Sequence, residues 1–275
     1  MTLRIRNQFL KIFTFFSITW VSITSLLLIK SIISKQMMQP PTDIRTFPFP
    51  WANFFTECRF SAIVCSILIL LFFAIGTTFF VTRHLKKTQS SELIFFFGFL
   101  IGVLCEAFRL LIITFGLWLT FSDTLLALGK MILFGRTIAA LSFFFAALLG
   151  EPGKRNEIEQ NFVILVAISA LISAITPLNT IRITSTGMVT ICFPKMISTF
   201  KAIVVIISTF AFIYNSKRDE KPAFNWVAIN YLILFFGYEL LINSECIITM
   251  VAGAFSLLVG TAQYLMALHK IYLWN

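Results

Sequence analysis

Six of the charged side chains inside long apolar stretches of this sequence are the residues whose types could carry chemistry. They comprise two acids and four bases: Glu106, Arg109, Lys130, Arg136, Lys201 and Glu239. An ionised side chain at the centre of a bilayer costs at least about 2.5–3.5 kcal/mol, so each needs a partner, water or a route to the interface. The bases outnumber the acids, and this surplus of positive charge suits an anionic ligand or the movement of ions or protons.

The elements that must position these charges are eight apolar runs. Their approximate limits are 8–34, 59–82, 92–120, 124–149, 162–178, 197–214, 224–242 and 247–268. Each run reaches or approaches the ~20 residues that a helix needs to cross the hydrocarbon of a bilayer. Of the 275 residues, 58% are apolar and only 12% are charged, which excludes a soluble domain. We therefore predict an all-α, polytopic membrane bundle of about eight transmembrane helices, forming one integral membrane domain over residues 1–275.

The distribution of Lys and Arg predicts the orientation of the bundle. With the N-terminus placed inside, the loops and ends on that side contain eleven Lys and Arg residues, and the longer outer loops contain five. Both termini are therefore predicted to be cytoplasmic, in a multi-pass protein of the cytoplasmic or plasma membrane. The first run also resembles a secretory signal peptide, but its length and the following Lys30 and Lys35 favour an uncleaved helix. If it were cleaved, the seven remaining helices would have the layout of a heptahelical receptor.

Helical periodicity predicts which way the charges point. On the third run, Gly98, Gly102, Glu106 and Arg109 lie on one face, and a ridge of small residues lets another helix approach closely. Three further faces show a similar small or polar character: Gly129, Arg136, Ala140 and Ala147; Glu239 and Asn243; and Gly253, Ser256, Gly260 and Gln263. At about 1.5 Å per residue, five of the six charges lie within roughly 10 Å of the outer hydrocarbon boundary, and Arg136 lies deeper.

Two interpretations of this charged level remain open. In the structural one, Glu106 pairs with Arg109 or Arg136, Glu239 pairs with Lys201 or Lys130, and the remaining lysines extend to the interface. In the functional one, the six residues line a polar cavity that is open to the outer side.

The cysteines and the known motifs add little chemistry. Cys58, Cys192 and Cys246 lie at the predicted outer face, where two of them are able to form a disulfide in an oxidising compartment, although three unpaired thiols are an equal alternative. Cys65 and Cys105 lie inside predicted helices. We find no metal-ligand spacing and no catalytic motif, so we expect no metal, no cofactor and no enzymatic activity.

The sequence thus predicts a membrane protein that binds or transports a small, anionic solute through a charged cavity near the outer side. The alternative is a heptahelical-like sensor or scaffold that acts through membrane or cytoplasmic protein partners. The basic residues occur in short clusters between apolar runs, so we expect contact with the lipid bilayer and not with nucleic acid. The order of loop lengths also predicts a weak repeat of four plus four helices, 1–150 and 151–275.

Overall fold

The computed structural model describes residues 3–34, 60–84, 92–119, 123–149, 158–218 and 223–273, which form nine helices, a short 3-10 turn and one strand hairpin. The helices are α1 Leu3–Ile33, α2 Phe60–His84, α3 Glu92–Cys105, α4 Ala107–Phe115, α5 Asp123–Leu149, α6 Ile158–Ile175, α7 Pro194–Arg218, α8 Ala223–Ile242 and α9 Ile247–Leu273. The strands are β1 Leu178–Ile183 and β2 Val189–Ile191. Taking α3 and α4 as one span, these residues contain eight helices long and apolar enough to cross a membrane, as the sequence predicts.

The helix ends follow from local chemistry. Pro177 disfavours helical backbone at the residue before it, and α6 accordingly stops at Ile175 where the sequence predicts an end near 178. Pro194 is the first residue of α7. Proline is favoured at this position because the N–H that it lacks would have no carbonyl partner within the helix. The sixth span is therefore longer at both ends than the predicted 197–214.

The third span is interrupted at Glu106, where the sequence predicts one continuous helix. The N–H of Glu106 donates to Val103 O at 3.1 Å and the N–H of Arg109 donates to Glu106 O at 3.0 Å, so both bonds reach back three residues where an α-helix reaches back four. After this break α4 runs to Phe115 and ends on Gly116, which adopts the left-handed conformation with φ 56°.

A strand hairpin fills the connection between α6 and α7. The strands β1 and β2 pair antiparallel, with Leu178 opposite Ile191 and Asn179 opposite Thr190. Residues 184–188, called the hairpin tip below, turn the chain, and Gly187 supplies a φ of 78° there. The predicted all-α fold is thus correct for the helices that are long enough to span a membrane, but it did not include this hairpin.

Glycines allow the closest helix contacts. A Cβ placed on Gly102 of α3 would lie 2.8 Å from Ala139 Cβ of α5, and one placed on Gly237 of α8 would lie 2.9 Å from Gly253 O of α9. The predicted ridge of Gly98 and Gly102 does face another helix. The helices α3 with α5, and α8 with α9, accordingly form the most extensive contacts in the bundle.

The core lies where α3 and α5 meet α8 and α9. It is dominated by aromatic rings, with centroid distances of 4.7 Å for Phe143 and Tyr231 and 5.4 Å for Phe99 and Tyr238. The helices α1, α6 and α7 instead present large apolar side chains outward, as expected of surfaces that face lipid. Nothing in these contacts tests the predicted repeat of 1–150 and 151–275, which stays a prediction.

Candidate functional site: an ion triad beneath the hairpin tip

Three of the six intramembrane charges form one cluster, which we call the ion triad: Glu106, Arg109 and Arg136. The carboxylate of Glu106 accepts from both guanidinium groups. Arg136 Nε donates to Oε1 at 2.8 Å, and Arg136 Nη2 and Arg109 Nη1 donate to Oε2 at 3.3 and 3.0 Å. Glu106 and Arg109 are completely buried, and the Arg136 side chain retains 10% exposure.

Local structure explains why these three groups meet. Glu106 and Arg109 are three residues apart and share one helical face across the break, so their side chains lie one above the other. Arg136 comes from α5, and the close approach at Gly102 brings α5 to α3 near enough for its side chain to reach Glu106. The predicted glycine ridge thus has a direct role in assembling the triad.

Arg109 also fixes the hairpin tip. Its Nε and Nη2 donate to the backbone carbonyl of Thr186 at 3.1 and 2.6 Å, and all of these atoms are buried. A guanidinium presents such pairs of parallel N–H groups in a rigid fork. The tip is therefore attached to the same carboxylate-bound arginine that lies in the bundle interior.

The hairpin tip is seated in an apolar socket. Met188 and Val189 are buried in a small cluster with Ile112 of α4 and Leu125 and Ile132 of α5. Backbone polar groups that are buried in this way need hydrogen-bond partners within the protein. Within the tip the Thr184 N–H donates to Met188 O at 2.8 Å, which satisfies part of that requirement.

The triad has a net charge of +1, since one carboxylate faces two guanidinium groups. At a separation of about 4 Å and an effective dielectric constant of 20, each opposite-charge pair contributes about 4 kcal/mol of attraction, and the two arginines repel one another. Because all three groups are withdrawn from water, the surplus charge is an unusual feature of a protein interior. The arrangement suits an added anion and offers little to a cation.

Lys130 has a different role from the triad. Its Nζ donates to the carbonyls of Ser173 and Ala174, both at 2.9 Å, and to that of Thr176. These are the last carbonyls of α6 and its exit, where the helix dipole favours a cation. Lys130 thus ties α5 to the C-terminal end of α6, and the structure does not bring it to Glu239.

Lys201 and Glu239 form a separate pair, called the lateral pair below. Lys201 Nζ lies 2.5 Å from Glu239 Oε1, with side-chain exposures of 16% and 24%. Asn243 Nδ2 donates to Glu239 Oε2 at 3.3 Å, as expected from their shared face. The pairs that the structural interpretation predicts are therefore present, but the six charges divide into three groups.

A polar pocket of about 640 Å³ lies over the hairpin tip and is called the hairpin pocket. Its lining includes Arg182, Thr186, Asn243 and Glu245, and the Ser185 hydroxyl donates to Glu245. Thr186 both lines this pocket and accepts from Arg109, so a single residue separates the pocket from the triad. Of these residues only Asn243 was singled out from the sequence, although the alternating β-branched residues of 178–191 and the turn at Gly187 are a strand-hairpin signal.

The cysteines are placed as follows. Cys192 is exposed and Cys246 is half-buried, and both are free thiols, as are Cys65 and Cys105. Cys58 lies outside the described residues, so a disulfide to it stays a prediction. Within the described ranges, no group of three or more His, Cys, Asp and Glu residues is placed to hold a metal ion.

The chain matches no protein-family model, no curated protein and no solved structure. Its functional interpretation therefore depends on the geometry of the triad, the hairpin and the pocket above them.

Proposed function

We propose that this protein binds a small anionic solute at the ion triad and transports it across the cell membrane, with the hairpin end facing outward. The observation that carries the proposal is a buried cluster with net charge +1, covered by a hairpin tip that one of its own arginines holds. The site of this proposal is smaller than the cavity predicted from the sequence: it comprises the triad and the hairpin tip above it and leaves out Lys130 and the lateral pair.

The orientation in this proposal has its support in the loops. The last turns of α2 and α7, at the end opposite the hairpin, carry Arg83, Lys217 and Arg218, and the sequence segments that follow α2 and α5 add Lys86, Lys87, Lys154 and Arg155. Cytoplasmic loops of multi-pass proteins show this excess of Lys and Arg. The hairpin pocket would then be the part of the site that a solute from outside meets first.

The bonds of Arg109 indicate how an anion would enter. The Thr186 carbonyl accepts from two adjacent N–H groups of the guanidinium. A carboxylate or phosphate is able to accept from the same two groups, with one oxygen for each. A solute that replaces this carbonyl gains charge-assisted hydrogen bonds and releases the hairpin tip. Binding and opening would therefore be the same event.

Arg136 would be the second contact of the solute. It is the one triad member with residual exposure, and its Nη1 group takes no part in the bonds to Glu106. An anion bound between Arg109 and Arg136 would bring the net charge of the cluster from +1 to zero if the anion is monovalent. We infer that monovalent anions, such as small carboxylates, fit better than polyvalent ones.

The test is uptake of a panel of small carboxylates, phosphate and chloride into vesicles that contain the purified protein. We expect saturable uptake of at least one carboxylate, and we expect Arg136→Lys to weaken it at least tenfold, because an ammonium cannot reproduce the paired donors. Arg83→Gln, at an exposed position in the last turn of α2, is the control and should leave uptake unchanged.

Two outcomes would count against transport. Saturable binding without uptake would favour the sensor or scaffold interpretation, in which a protein partner recognises the released hairpin tip. Equal uptake by the wild type and the Arg136→Lys variant would remove the triad from the mechanism altogether.

A further inference from the structure

A groove of about 680 Å³ runs along the bundle surface between α7 and α8, and it is separate from the hairpin pocket. At its hairpin end it is lined by Ser198 and the lateral pair, Lys201 and Glu239. Farther along the helices its lining is apolar, for example Val205, Ile206 and Phe236, except for Ser256 of α9. The groove is therefore charged at one end and mainly apolar along the rest of its length.

The length of the groove follows from helix geometry. Ser198 and Ile206 are eight residues apart on α7, and Leu232 and Glu239 are seven apart on α8. At 1.5 Å per residue these intervals correspond to about 12 and about 10 Å along the helix axes. The apolar part thus extends from the level of the lateral pair toward the middle of the bundle.

The groove opens to the side of the bundle. Phe210 on α7 and Phe236 on α8 are 67% and 61% exposed, and they belong to the apolar surface that these helices present outward. In a membrane that surface faces acyl chains. An occupant therefore reaches the groove from within the bilayer.

The lateral pair gives the polar end a specific charge pattern. An ammonium and a carboxylate lie side by side, and both stay partly exposed. A zwitterionic phospholipid head group carries the complementary pattern, with a phosphate for Lys201 and an ammonium for Glu239. A purely anionic head group would meet the carboxylate of Glu239 without a compensating positive charge.

We propose that this groove binds one zwitterionic phospholipid from the leaflet at the hairpin end, with its head group on Lys201 and Glu239 and an acyl chain between α7 and α8. Ser198 lies one helical turn from Lys201 on the side of the interface, where its hydroxyl is placed to donate to the phosphate. Among the described residues the hydrogen bonds of the lateral pair run between Lys201 and Glu239 and from Asn243 to Glu239, and none of them reaches the triad.

A second groove on the same protein provides the comparison. It lies between α2 and α9, has a volume of about 730 Å³ and is lined by residues such as Gly76, Thr77 and Ala262, with no charged residue in its lining. If apolar volume alone determined lipid binding, this groove would bind a lipid as well as the α7–α8 groove does. Selective binding at the α7–α8 groove therefore tests the contribution of the charges.

The experiment uses the full-length protein in detergent and two lipids with identical acyl chains, phosphatidylethanolamine and phosphatidylglycerol. Bound lipids are counted by native mass spectrometry, and a photoactivatable acyl chain identifies the peptides that each lipid contacts. We expect phosphatidylethanolamine to bind at least tenfold more tightly and to cross-link to peptides of α7 and α8.

Four variants separate the contributions. Ala202→Phe places a ring in the α7–α8 groove at an exposed position and should abolish these cross-links, and Ala262→Phe places the same ring in the other groove and should leave them unchanged. Ser198→Ala should weaken binding a fewfold. The double variant Lys201→Gln/Glu239→Gln should lower phosphatidylethanolamine binding to the level of phosphatidylglycerol.

Any of three results would overturn the assignment. One is equal binding of the two lipids to the wild-type protein, which would indicate an annular lipid. Another is unchanged cross-linking of α7 and α8 in the Ala202→Phe variant. Tighter binding of phosphatidylglycerol would likewise contradict the charge pattern.

Discussion

Removal of the Glu106 charge is expected to be the most destabilising single change in the site. In Glu106→Gln the side chain keeps its shape, but two buried guanidinium groups lose their common counter-charge. Breaking a buried ion pair by removing one partner costs about 3–5 kcal/mol. Arg109 retains the Thr186 carbonyl and Arg136 retains 10% exposure, so we expect a loss near the middle of that range and not twice its value.

The lateral pair supplies the scale for this effect. Lys201→Gln breaks a single ion pair whose side chains are 16% and 24% exposed, and Glu239 keeps the hydrogen bond from Asn243, so we expect a smaller loss of stability than for Glu106→Gln. The assay is reversible unfolding in mixed micelles, followed by tryptophan fluorescence. The reciprocal variant Glu106→Arg/Arg136→Glu retains the net charge of +1 and should recover at least half of the lost stability. If Glu106→Gln unfolds with the same free energy as Lys201→Gln, the triad does not contribute as a buried ionic cluster.

Three further predictions concern residues around the site. Gly102→Ala should destabilise the protein by about 1–3 kcal/mol because the added methyl group meets α5. Gly76→Ala has open space at its Cβ and should be neutral or stabilise the protein by about 0.5–1 kcal/mol. The same unfolding assay distinguishes the two variants. Tyr264→Phe removes a buried hydroxyl that has no partner among the described residues, so the folded protein should be unchanged in stability or more stable. Tyr272→Phe breaks hydrogen bonds of 2.6 and 2.8 Å to the Glu92 carboxylate and should lower the free energy of unfolding by about 1.5–3 kcal/mol. Lys130→Met should expose the amides at the end of α6 and the start of the hairpin to faster hydrogen exchange, and unchanged exchange there would contradict the capping role of Lys130.

The sequence predicted the direction of the triad and, in the structural interpretation, the pairing of Glu106 with an arginine and of Glu239 with a lysine, but not that both arginines share Glu106 or that Lys130 lies apart. The four-residue spacing of Gly98, Gly102 and Glu106 places the carboxylate on the face that meets α5, and periodicity is sufficient for that conclusion. Periodicity and depth do not determine which neighbouring helix a face meets. Lys201 and Glu239 were predicted to lie at a depth similar to that of the triad. They nevertheless form a separate pair on the lateral surface.

Two structural features arise from contacts that the sequence shows weakly or not at all. Glutamate has no tendency to interrupt a helix, so the break at Glu106 depends on its surroundings in the bundle. The hairpin at 178–191 has the alternating β-branched residues of a strand, but its position in an interhelical connection favoured a loop interpretation. Its burial follows from the socket that α4 and α5 provide.

The seating of the hairpin tip has a consequence for the order in which the protein is assembled. The contacts of the tip with Arg109 and, at Gly187, with Ile113 join residues within the interval 106–191, as do the triad and the bonds of Lys130. A chain made from its N-terminus therefore contains all of these groups before α8 and α9 are synthesised. The last two helices then add the ring contacts of Tyr238 with Phe99 and of Tyr231 with Phe143, together with the bond from the Ser185 hydroxyl to Glu245.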